Sequence, residues 1–203
     1  MDLVEGPDGL TRCGWGASAP EYAAYHDDEW GRPATDDVRL FEKLCLEGFQ
    51  SGLSWLTILR KRPAFRAAFA SFDPVQVAAF DDSDVERLLG DAGIVRHRGK
   101  IEATIANARA MVELWNSGGT LASLIWSHEP PEATREAFTE VPATTPESTA
   151  LSKELKRKGF RFVGPTTCYA AMQAMGVVND HLVGCSAHDP CADARRKLVR
   201  PTA

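Results

Sequence analysis

The chain has 203 residues, 44% of them hydrophobic and 25% charged, and a formal net charge of -5. This composition is typical of an ordinary soluble globular protein with one core or two small lobes, and no apolar run is long enough to cross a bilayer. The opening MDLVEGPDGLTR lacks the apolar centre of a secretory signal, so a cytoplasmic protein is expected. The negative charge gives no support for nucleic-acid binding unless basic residues cluster locally.

Signals for the start and the end of helices recur along the chain, whereas strand signals are nearly absent, so the predicted fold is all-α. Prolines and short polar side chains mark the helix starts, and glycines mark several ends. The predicted helices are, in chain order, Glu21–Glu29 after Pro20, Val38–Phe49 capped by Thr35 or Asp36, a helix capped by Ser54 and interrupted at Pro63, a helix from Asp73-Pro74, SDVERLLGDAG with Ser83 and Glu86 as a capping box, KIEATIANARAMVELWNSGG, ALSKELKRKG and PTTCYAAMQAMG.

Three segments are expected to lie outside these helices. Glu129–Pro146 is rich in Pro, Thr and Glu and should be an excursion between helices. Residues 1–10 and 190–203 are expected to be flexible tails. Because the chain has no internal repeat and no interdomain linker, residues 1–203 are expected to form a single unit.

The segment ALSKELKRKGFRFVGPTTCYAAMQAMG predicts a helix, a tight hairpin and a second helix. Gly159 can end the first helix in the left-handed conformation, and Gly164 with Pro165 can begin the second. Free backbone N–H groups at Gly164, Thr166 and Thr167 would then face outward from the positive end of a helix, which suits a phosphate group. The basic residues of this region are Lys153, Lys156, Arg157, Lys158 and Arg161. An ordinary helix connection with a solvated lysine face is the alternative.

Cysteine and histidine residues occur near both ends of the chain. Cys13 and His26 lie near the start, and the pair His181 and Cys185 lies in HLVGC, where one helical turn would aim both side chains the same way. Two thiolates and two imidazoles suit a closed tetrahedral zinc site with a structural role. The alternative is a buried thiol and an ordinary histidine.

The remaining cysteines leave the ligand set open. The chain has five cysteines, an odd number that argues against a disulfide framework in a reducing compartment. Cys191 and His188 are competing ligands. Cys45 and Cys168 lie on apolar helix faces and are expected to be packing residues.

One carboxylate falls on an apolar helix face. In the predicted helix Val38–Phe49, Leu40, Leu44 and Gly48 are spaced for core burial, and Glu47 lies on the same stripe, where a charge is costly without a partner. Aromatic residues nearby in sequence could line a box around it: Trp15, Tyr22, Tyr25 and Trp55. Such a box suits a flat or cationic base. In the alternative, the aromatic residues are core and Glu47 pairs with an arginine or caps a helix.

The blocks RCGW, YAAYHDDEWG, LFEKLCLEGFQSGLSW, FDPVQVAAF, DAGIVRHRGKI, ALSKELKRKGFRFVG and GVVNDHLVGC run in order from about Thr11 to Cys185. In this order they resemble the DNA-3-methyladenine glycosylase I family. The resemblance implies an all-α helix-hairpin-helix DNA glycosylase fold of two intimately packed lobes. It also implies one structural zinc ion that ties the N- and C-terminal segments together, with the ligands Cys13, His26, His181 and Cys185.

The resemblance also implies the remaining site residues. The implied base pocket is Trp15, Tyr22, Tyr25, Glu47 and Trp55, with Glu47 as the candidate catalytic residue. The loop Ser51-Gly52-Leu53 matches the element that probes the duplex, and Leu53 is a candidate wedge or, alternatively, a plain core leucine. The implied DNA contacts are Gly52, Leu53, Lys158, Arg161, Gly164, Thr166 and Thr167. The hairpin departs from other glycosylases of this fold because it lacks their glycine pattern and the aspartate after it. Asn179-Asp180 stands at the position where that aspartate is expected.

The function implied is excision of 3-methyladenine from alkylated double-stranded DNA by a monomer that contacts no membrane. The nucleotide would be flipped into the pocket and its N-glycosidic bond hydrolysed, without strand cleavage because no lysine is marked out for a Schiff base. Two other classes remain open from the residues alone. A zinc-stapled DNA-binding module would not need Glu47 and the aromatic box, and an enzyme of free nucleosides would not need the basic hairpin.

Overall fold

The computed structural model describes residues 2–202 and is mostly helical, as the sequence predicts. Within these residues, two three-residue strands, β1 (Leu3–Glu5) and β2 (Thr11–Cys13), form an antiparallel pair. The α-helices of the same residues are α1 Pro20–Asp28, α2 Asp37–Gln50, α3 Trp55–Ala68, α4 Pro74–Ala78, α5 Asp82–Gly90, α6 Arg98–Asn116, α7 Leu121–Trp126, α8 Pro146–Arg157, α9 Pro165–Ala174 and α10 His188–Lys197.

The helix α2 lies at the centre of the fold. Every residue from Leu40 to Phe49 is buried, because α2 packs against α3, α6, α7 and α9. A helix enclosed in this way buries its polar positions as well as its apolar ones. Lys43 and Glu47 are therefore inside the protein, although both carry ionisable groups. Among the described residues, no helix combines the length and apolar character needed to span a membrane.

Local side-chain caps set the starts of several helices, and one of the predicted caps is wrong. Asp36 caps α2 by accepting a hydrogen bond from the Arg39 backbone N–H, and Ser54 caps α3, as predicted. The predicted capping box of Ser83 and Glu86 is wrong, since Asp81 caps α5 and pairs reciprocally with Asp84. Successive residues of this segment have side chains that can cap, so the helix can begin at an earlier one.

The predicted interruption of α3 at Pro63 is also wrong. The helix continues to Ala68, and Ile58 and Phe65 are fully buried on the two sides of the proline. Pro63 has no N–H to donate to the Leu59 carbonyl, but its own side chain is exposed. Water can reach that surface, and the buried residues on both sides hold the helix together.

The ends expected to be flexible tails, residues 1–10 and 190–203, contain secondary structure within the described residues 2–10 and 190–202. At the start, β1 pairs with β2, so Leu3 stands opposite Cys13. At the end, α10 buries Cys191 and Arg195, and the Arg195 guanidinium donates hydrogen bonds to Glu129 at 2.8 Å and to the Val177 carbonyl at 2.9 Å. These contacts join residues distant in sequence, and local composition does not report such packing.

The segment before α8 and the hairpin after it follow the prediction. Glu129–Pro146 contains no α-helix before α8 begins at Pro146, and a short 3-10 helix spans Phe138–Glu140. After α8, Gly159 has a φ of +95°, and α9 begins at Pro165 with Gly164 as its N-cap residue. The two helices pack against each other, so the hairpin is part of the folded body.

Candidate metal centre and aromatic cavity

Four buried side chains from the two ends of the chain converge on one point. The ligand atoms of Cys13, His26, His181 and Cys185 all lie within 4.8 Å of one another. The Cys185 Sγ is 3.5 Å from His26 Nε2 and 3.7 Å from His181 Nδ1, and Cys13 Sγ is 3.9 Å from His181 Nδ1. A tetrahedral zinc ion at about 2.3 Å from sulfur and about 2.0 Å from nitrogen spaces its ligands by roughly 3.3–3.8 Å. The donor set fits a metal ion with little movement.

The outward-facing nitrogen of each imidazole already has a partner. His26 Nδ1 lies 2.8 Å from the Asp27 carboxylate, which is held in turn by the Arg12 guanidinium. His181 Nε2 lies 3.0 Å from the Trp30 carbonyl oxygen. Because these acceptors require an N–H, the lone pairs of His26 Nε2 and His181 Nδ1 are left for the centre of the cluster.

The ligands reach the cluster from a strand, a helix and a turn. Cys13 ends β2, and His26 lies in the last turn of α1. The expected helical turn for His181 and Cys185 is wrong, because this segment is a turn closed by a hydrogen bond from the Cys185 N–H to the Leu182 carbonyl. Tight turns also bring side chains four residues apart together, so the two ligands still converge.

Two glycines allow the backbone to pass close to the imidazoles. A Cβ at Gly16 would lie 2.6 Å from the His26 ring. A Cβ at Gly31, where φ is +76°, would lie 2.9 Å from the His181 ring. Larger residues at either position would push the histidines away from the cluster.

The cluster favours one thiolate even without a metal ion. The neighbouring Cys13 thiol, together with the two imidazoles, holds the pKa of Cys185 far below its ordinary value. The pKa of Cys13 is raised, because its thiol hydrogen bonds to the Cys185 sulfur and burial opposes a second charge. A divalent cation would relieve this conflict by binding both sulfurs as thiolates.

The competing ligands lie outside the cluster. Cys191 is buried, with its Sγ 3.9 Å from the Trp30 carbonyl, and His188 Nδ1 lies 2.8 Å from the Asp189 carboxylate. Cys45 and Cys168 are buried in the main hydrophobic core, as expected of packing residues.

Next to the cluster is a cavity of about 250 Å³. The four aromatic side chains expected around Glu47 all line it together with Glu47. The complete set of lining residues is Trp15, Tyr22, Tyr25, Trp30, Glu47, Gln50, Trp55, Phe138, Ala170 and Gln173.

The rings are arranged edge to face and tilted, so their faces are not stacked on one another. Trp15 meets Tyr22 at 5.6 Å between ring centroids with an interplanar angle of 89°, and Tyr25 meets Trp55 at 5.3 Å and 44°. The Tyr22 hydroxyl accepts a hydrogen bond of 2.9 Å from the Leu56 N–H, which ties α1 to the start of α3. This packing leaves room for a flat molecule between the rings.

Glu47 is the charged group of this cavity. It is 6% exposed, and burial raises its pKa to about 7, with no hydrogen bond from the described residues to offset the desolvation. The Lys43 ammonium, one helical turn away, opposes this shift only by Coulomb attraction. A buried carboxylate without a donor readily accepts hydrogen bonds from a ligand.

Lys43 and Trp55 have polar atoms near the cavity that make no hydrogen bond among residues 2–202, and the Lys43 ammonium has only an ion-pair contact with Glu29 at 3.9 Å. Within the described residues, neither Lys43 Nζ nor Trp55 Nε1 has a hydrogen-bond partner, although both atoms are buried. Lys43 Nζ lies 5.2 Å from the centroid of the Tyr25 ring, and burial lowers the pKa of this lysine to about 8.

The cluster and the cavity are joined by shared residues. The Trp15 ring lies 5.2 Å from the His26 ring, and Trp30 lines the cavity while its carbonyl oxygen bonds His181. The position of the cluster therefore determines the position of one cavity wall.

The loop Ser51-Gly52-Leu53 leaves the end of α2 close to the cavity. Gly52 has a φ of +82°, and Leu53 is 43% exposed, which argues against a plain core leucine. The buried Lys100 ammonium donates to the Phe49 and Ser51 carbonyls at 2.8 and 2.6 Å. These bonds fix the loop to α6.

The hairpin residues lie on the surface. Lys158 and Arg161 are exposed, and no side chain caps the N–H groups at the start of α9 around Gly164. Thr166 is exposed and Thr167 is half-buried. The buried Asn107 side chain holds the hairpin by hydrogen bonds to both the N–H and the carbonyl of Arg161.

Some lining residues are not among the sequence candidates. Trp30 lies just past the end of α1, so helical spacing does not place it, although it belongs to the aromatic-rich block EYAAYHDDEW. Phe138 comes from the excursion before α8 and is 51% exposed. Gln173 lies on α9, one turn after the buried Tyr169, where a polar residue is a signal that could have been noticed.

Comparison with known proteins relates this arrangement to one family. The sequence model of Methyladenine glycosylase matches residues 15–188. DNA-3-methyladenine glycosylase 1 of Escherichia coli is 54% identical over 179 residues, which cover 87% of this chain and 96% of that protein. A DNA-3-methyladenine glycosylase of Haemophilus influenzae is 46% identical over 184 residues, which cover 89% and 97%.

Solved structures are similar over the same length. A crystal structure of 3-methyladenine DNA glycosylase I superimposes with a TM-score of 0.85 at 51% identity, covering 87% of this chain and 99% of the other. A 3-methyladenine DNA glycosylase I from Staphylococcus aureus, solved to explain 3-methyladenine recognition, superimposes with a TM-score of 0.83 at 36% identity, covering 87% and 96%.

Proposed function

The chain belongs to the methyladenine glycosylase family, and from this premise we propose that it excises 3-methyladenine from alkylated DNA in base excision repair. The reaction is hydrolysis of the N-glycosidic bond, and the enzyme is a DNA-3-methyladenine glycosylase I. The observation that supports this most is the buried Glu47 carboxylate in a cavity lined by aromatic rings.

The chemistry of the substrate matches that cavity. Methylation at N3 places a positive charge on adenine in DNA and makes it a good leaving group, so the demand for a general acid is weak. Rings such as Trp15, Tyr25 and Trp55 stabilise a flat cation through their faces, and ionised Glu47 accepts hydrogen bonds from its exocyclic amine. Guided by these contacts, the nucleotide leaves the stack, and water attacks the sugar carbon through an oxocarbenium-like state.

The cluster of Cys13, His26, His181 and Cys185 holds one zinc ion in this proposal. Two thiolates and two imidazoles fill a tetrahedral coordination sphere, so the ion has a structural role and no coordination position is left for water. The ligands tie the start of the chain to its end beside the cavity wall. The protein residues alone carry out recognition of the base.

The DNA contacts of the proposal are the hairpin and the loop after α2. The open N–H groups of Gly164, Thr166 and Thr167, with Lys158 and Arg161, suit phosphate groups of a duplex. Gly52 and Leu53 reach the base stack, where Leu53 fills the gap that the flipped nucleotide leaves.

The remaining assignments of the proposal concern the whole protein. Residues 1–203 act as one catalytic unit of two packed helical lobes, with the helix-hairpin-helix element on its DNA-facing side. The protein works as a monomer in the cytoplasm and acts on double-stranded DNA.

Release of bases from methylated duplex DNA tests the proposal. We expect purified protein to liberate 3-methyladenine and to leave an intact strand with an abasic site. A protein that binds the duplex but releases no base would be a DNA-binding module, and one that cleaves only free methylated nucleosides would be an enzyme of another class. A covalent DNA adduct trapped by borohydride would contradict hydrolysis without strand cleavage.

A further inference from the structure

One polar residue of the cavity wall comes from α9, whereas Glu47 lies on α2. Gln173 on α9 lines the cavity, and its side-chain Nε2 donates a hydrogen bond of 2.8 Å to Asp180. Gln173 is half-buried, whereas Asp180 is 3% exposed. One end of the amide is therefore held inside the protein while the residue faces the cavity.

Both oxygens of the Asp180 carboxylate accept hydrogen bonds. Its Oδ2 accepts hydrogen bonds from the Tyr169 hydroxyl at 2.6 Å and from Gln173, and its Oδ1 accepts one from the Arg135 guanidinium at 3.1 Å. The Arg135 guanidinium forms an ion pair with this buried carboxylate.

A carboxylate that already accepts from the Tyr169 hydroxyl and the Arg135 guanidinium bonds the NH₂ side of the Gln173 amide, because that side carries the donors. This chemistry sets the orientation of the Gln173 amide. Because Asp180 binds Nε2, the Gln173 side-chain carbonyl oxygen points away from Asp180. This oxygen has no hydrogen-bond partner among the described residues.

We propose that Gln173 is a specificity-determining residue of the cavity and that Asp180 is its positioning residue. The fixed amide presents a carbonyl oxygen, an acceptor, to the flipped base, so the cavity offers acceptors from both Glu47 and Gln173. This inference rests on the proposed glycosylase function and adds the basis on which one methylated purine is preferred to another.

The two methylated purines differ at the group that such acceptors would meet. Adenine carries an exocyclic amine at C6, which donates, whereas guanine carries a carbonyl oxygen at the same position, which accepts. A second acceptor in the cavity stabilises the adenine amine and repels the guanine carbonyl oxygen. Sites built to bond one such group discriminate strongly, because the wrong ligand leaves buried polar groups unpaired.

The test is the ratio of 3-methylguanine to 3-methyladenine released from one duplex methylated with dimethyl sulfate. Asp180→Asn supplies an amide in place of the carboxylate, so the Gln173 amide is free to turn and present its NH₂ group. Gln173→Met removes the acceptor at similar length. We expect each variant to raise the ratio about tenfold, the worth of one hydrogen bond between the correct and the wrong base.

The controls separate positioning from loss of structure. A ratio of two products from one incubation does not depend on the fraction of enzyme that is folded. Tyr169→Phe removes another donor to the same Asp180 oxygen but leaves the amide held, so its ratio should equal that of the wild type. In the Gln173→Met background, Asp180→Asn should change the ratio no further.

The outcomes distinguish the two levels of the proposal. A wild-type protein that releases no methylated base contradicts the proposed function itself. An active wild type with ratios unchanged within twofold in Gln173→Met and Asp180→Asn overturns the specificity role alone. If Asp180→Asn is inactive, Gln173→Met decides the question, because it keeps Asp180 with its Tyr169 and Arg135 partners.

Discussion

The Cys/His cluster and the aromatic cavity lie on two sides of Trp15, whose ring contacts His26 in one direction and Tyr22 in the other. In the cluster, every imidazole nitrogen has a role, because the outer ones bond Asp27 and the Trp30 carbonyl and the inner ones face the sulfurs. In the cavity, the Glu47 carboxylate has no donor within residues 2–202, and Trp55 Nε1 is buried without an acceptor.

This difference distinguishes polar groups that stabilise the fold from polar groups whose hydrogen bonds are left for a ligand. A buried polar network whose members are all paired stabilises the native state. A buried charge without partners costs stability, and the cost is recovered when a complementary ligand supplies the missing bonds. Substitutions in the two regions should therefore have opposite effects on stability.

The largest effect is expected in the cluster. Cys185→Ala removes one ligand and leaves the remaining thiol and imidazoles without a closed coordination sphere. We expect loss of bound zinc and a decrease in the free energy of unfolding on the order of 4–5 kcal/mol. Metal analysis by mass spectrometry and chemical denaturation measure the two quantities.

Cys191→Ala is the matched control, since Cys191 is also buried and contacts the Trp30 carbonyl but lies outside the cluster. It should retain about one zinc ion per chain. Equal metal content in the two variants would mean that Cys185 is not a ligand.

The next effect is on catalysis. Glu47→Gln keeps the size of the side chain but removes its charge, so the cationic base loses its strongest partner. We expect excision of 3-methyladenine to fall by about 100-fold or more. Glu42→Gln changes another carboxylate of α2, which does not line the cavity and pairs with Arg66 at a distance of 2.8 Å. The excision rate of this control should stay within about twofold of the wild-type rate. Similar rates in both variants would remove Glu47 from the site.

The pH dependence of excision should follow the same carboxylate. Burial raises the pKa of Glu47 to about 7, so the free enzyme loses its negative charge as the pH falls through neutrality. We expect kcat/KM to fall toward about tenfold per pH unit below this value, and the Glu47→Gln profile to lack this inflection. A wild-type profile that is flat between pH 6 and 8 would contradict the assignment.

A smaller effect is expected at the hairpin. Lys158→Ala removes one exposed charge from the proposed phosphate contacts, so affinity for duplex DNA should fall severalfold and the slope of log affinity against log salt should decrease by about 1. Lys197→Ala, an exposed lysine at the end of α10, is the control and should leave the slope unchanged. Binding titrations at several salt concentrations measure both.

Local signals in the sequence account for much of the fold. The starts of α2 and α3 are predictable because Asp36 and Ser54 accept hydrogen bonds from N–H groups only three residues away. The helix α10 is not predictable in this way, because its Arg195 bonds Glu129 and Val177, which are far away in sequence. Local patterns do not contain that information.

Some residues of the site are also predictable from the sequence, whereas others depend on contacts of the folded protein. The cavity residues Trp15, Tyr25 and Glu47 occur in recognisable blocks, so they could be named from the sequence. Gln173 is marked in the sequence only as a polar residue on a largely buried helix, because its place in the cavity depends on its hydrogen bond to Asp180 and on the packing of α9 against α2. Contacts made only in the folded protein place such residues in a cavity.

The most direct measurement is the free energy of unfolding of wild type and Glu47→Gln at pH 5 and pH 8, with excision assayed on the same preparations. The folded-state pKa of about 7 lies above the ordinary value of 4.5, so the stability that protonated Glu47 provides at low pH is lost as the pH rises through 7. We predict that the variant approaches the wild type at pH 5, exceeds its stability at pH 8 by up to about 3 kcal/mol, and loses excision. A variant that is less stable at pH 8, or that keeps normal excision, would contradict a carboxylate held unpaired for its ligand.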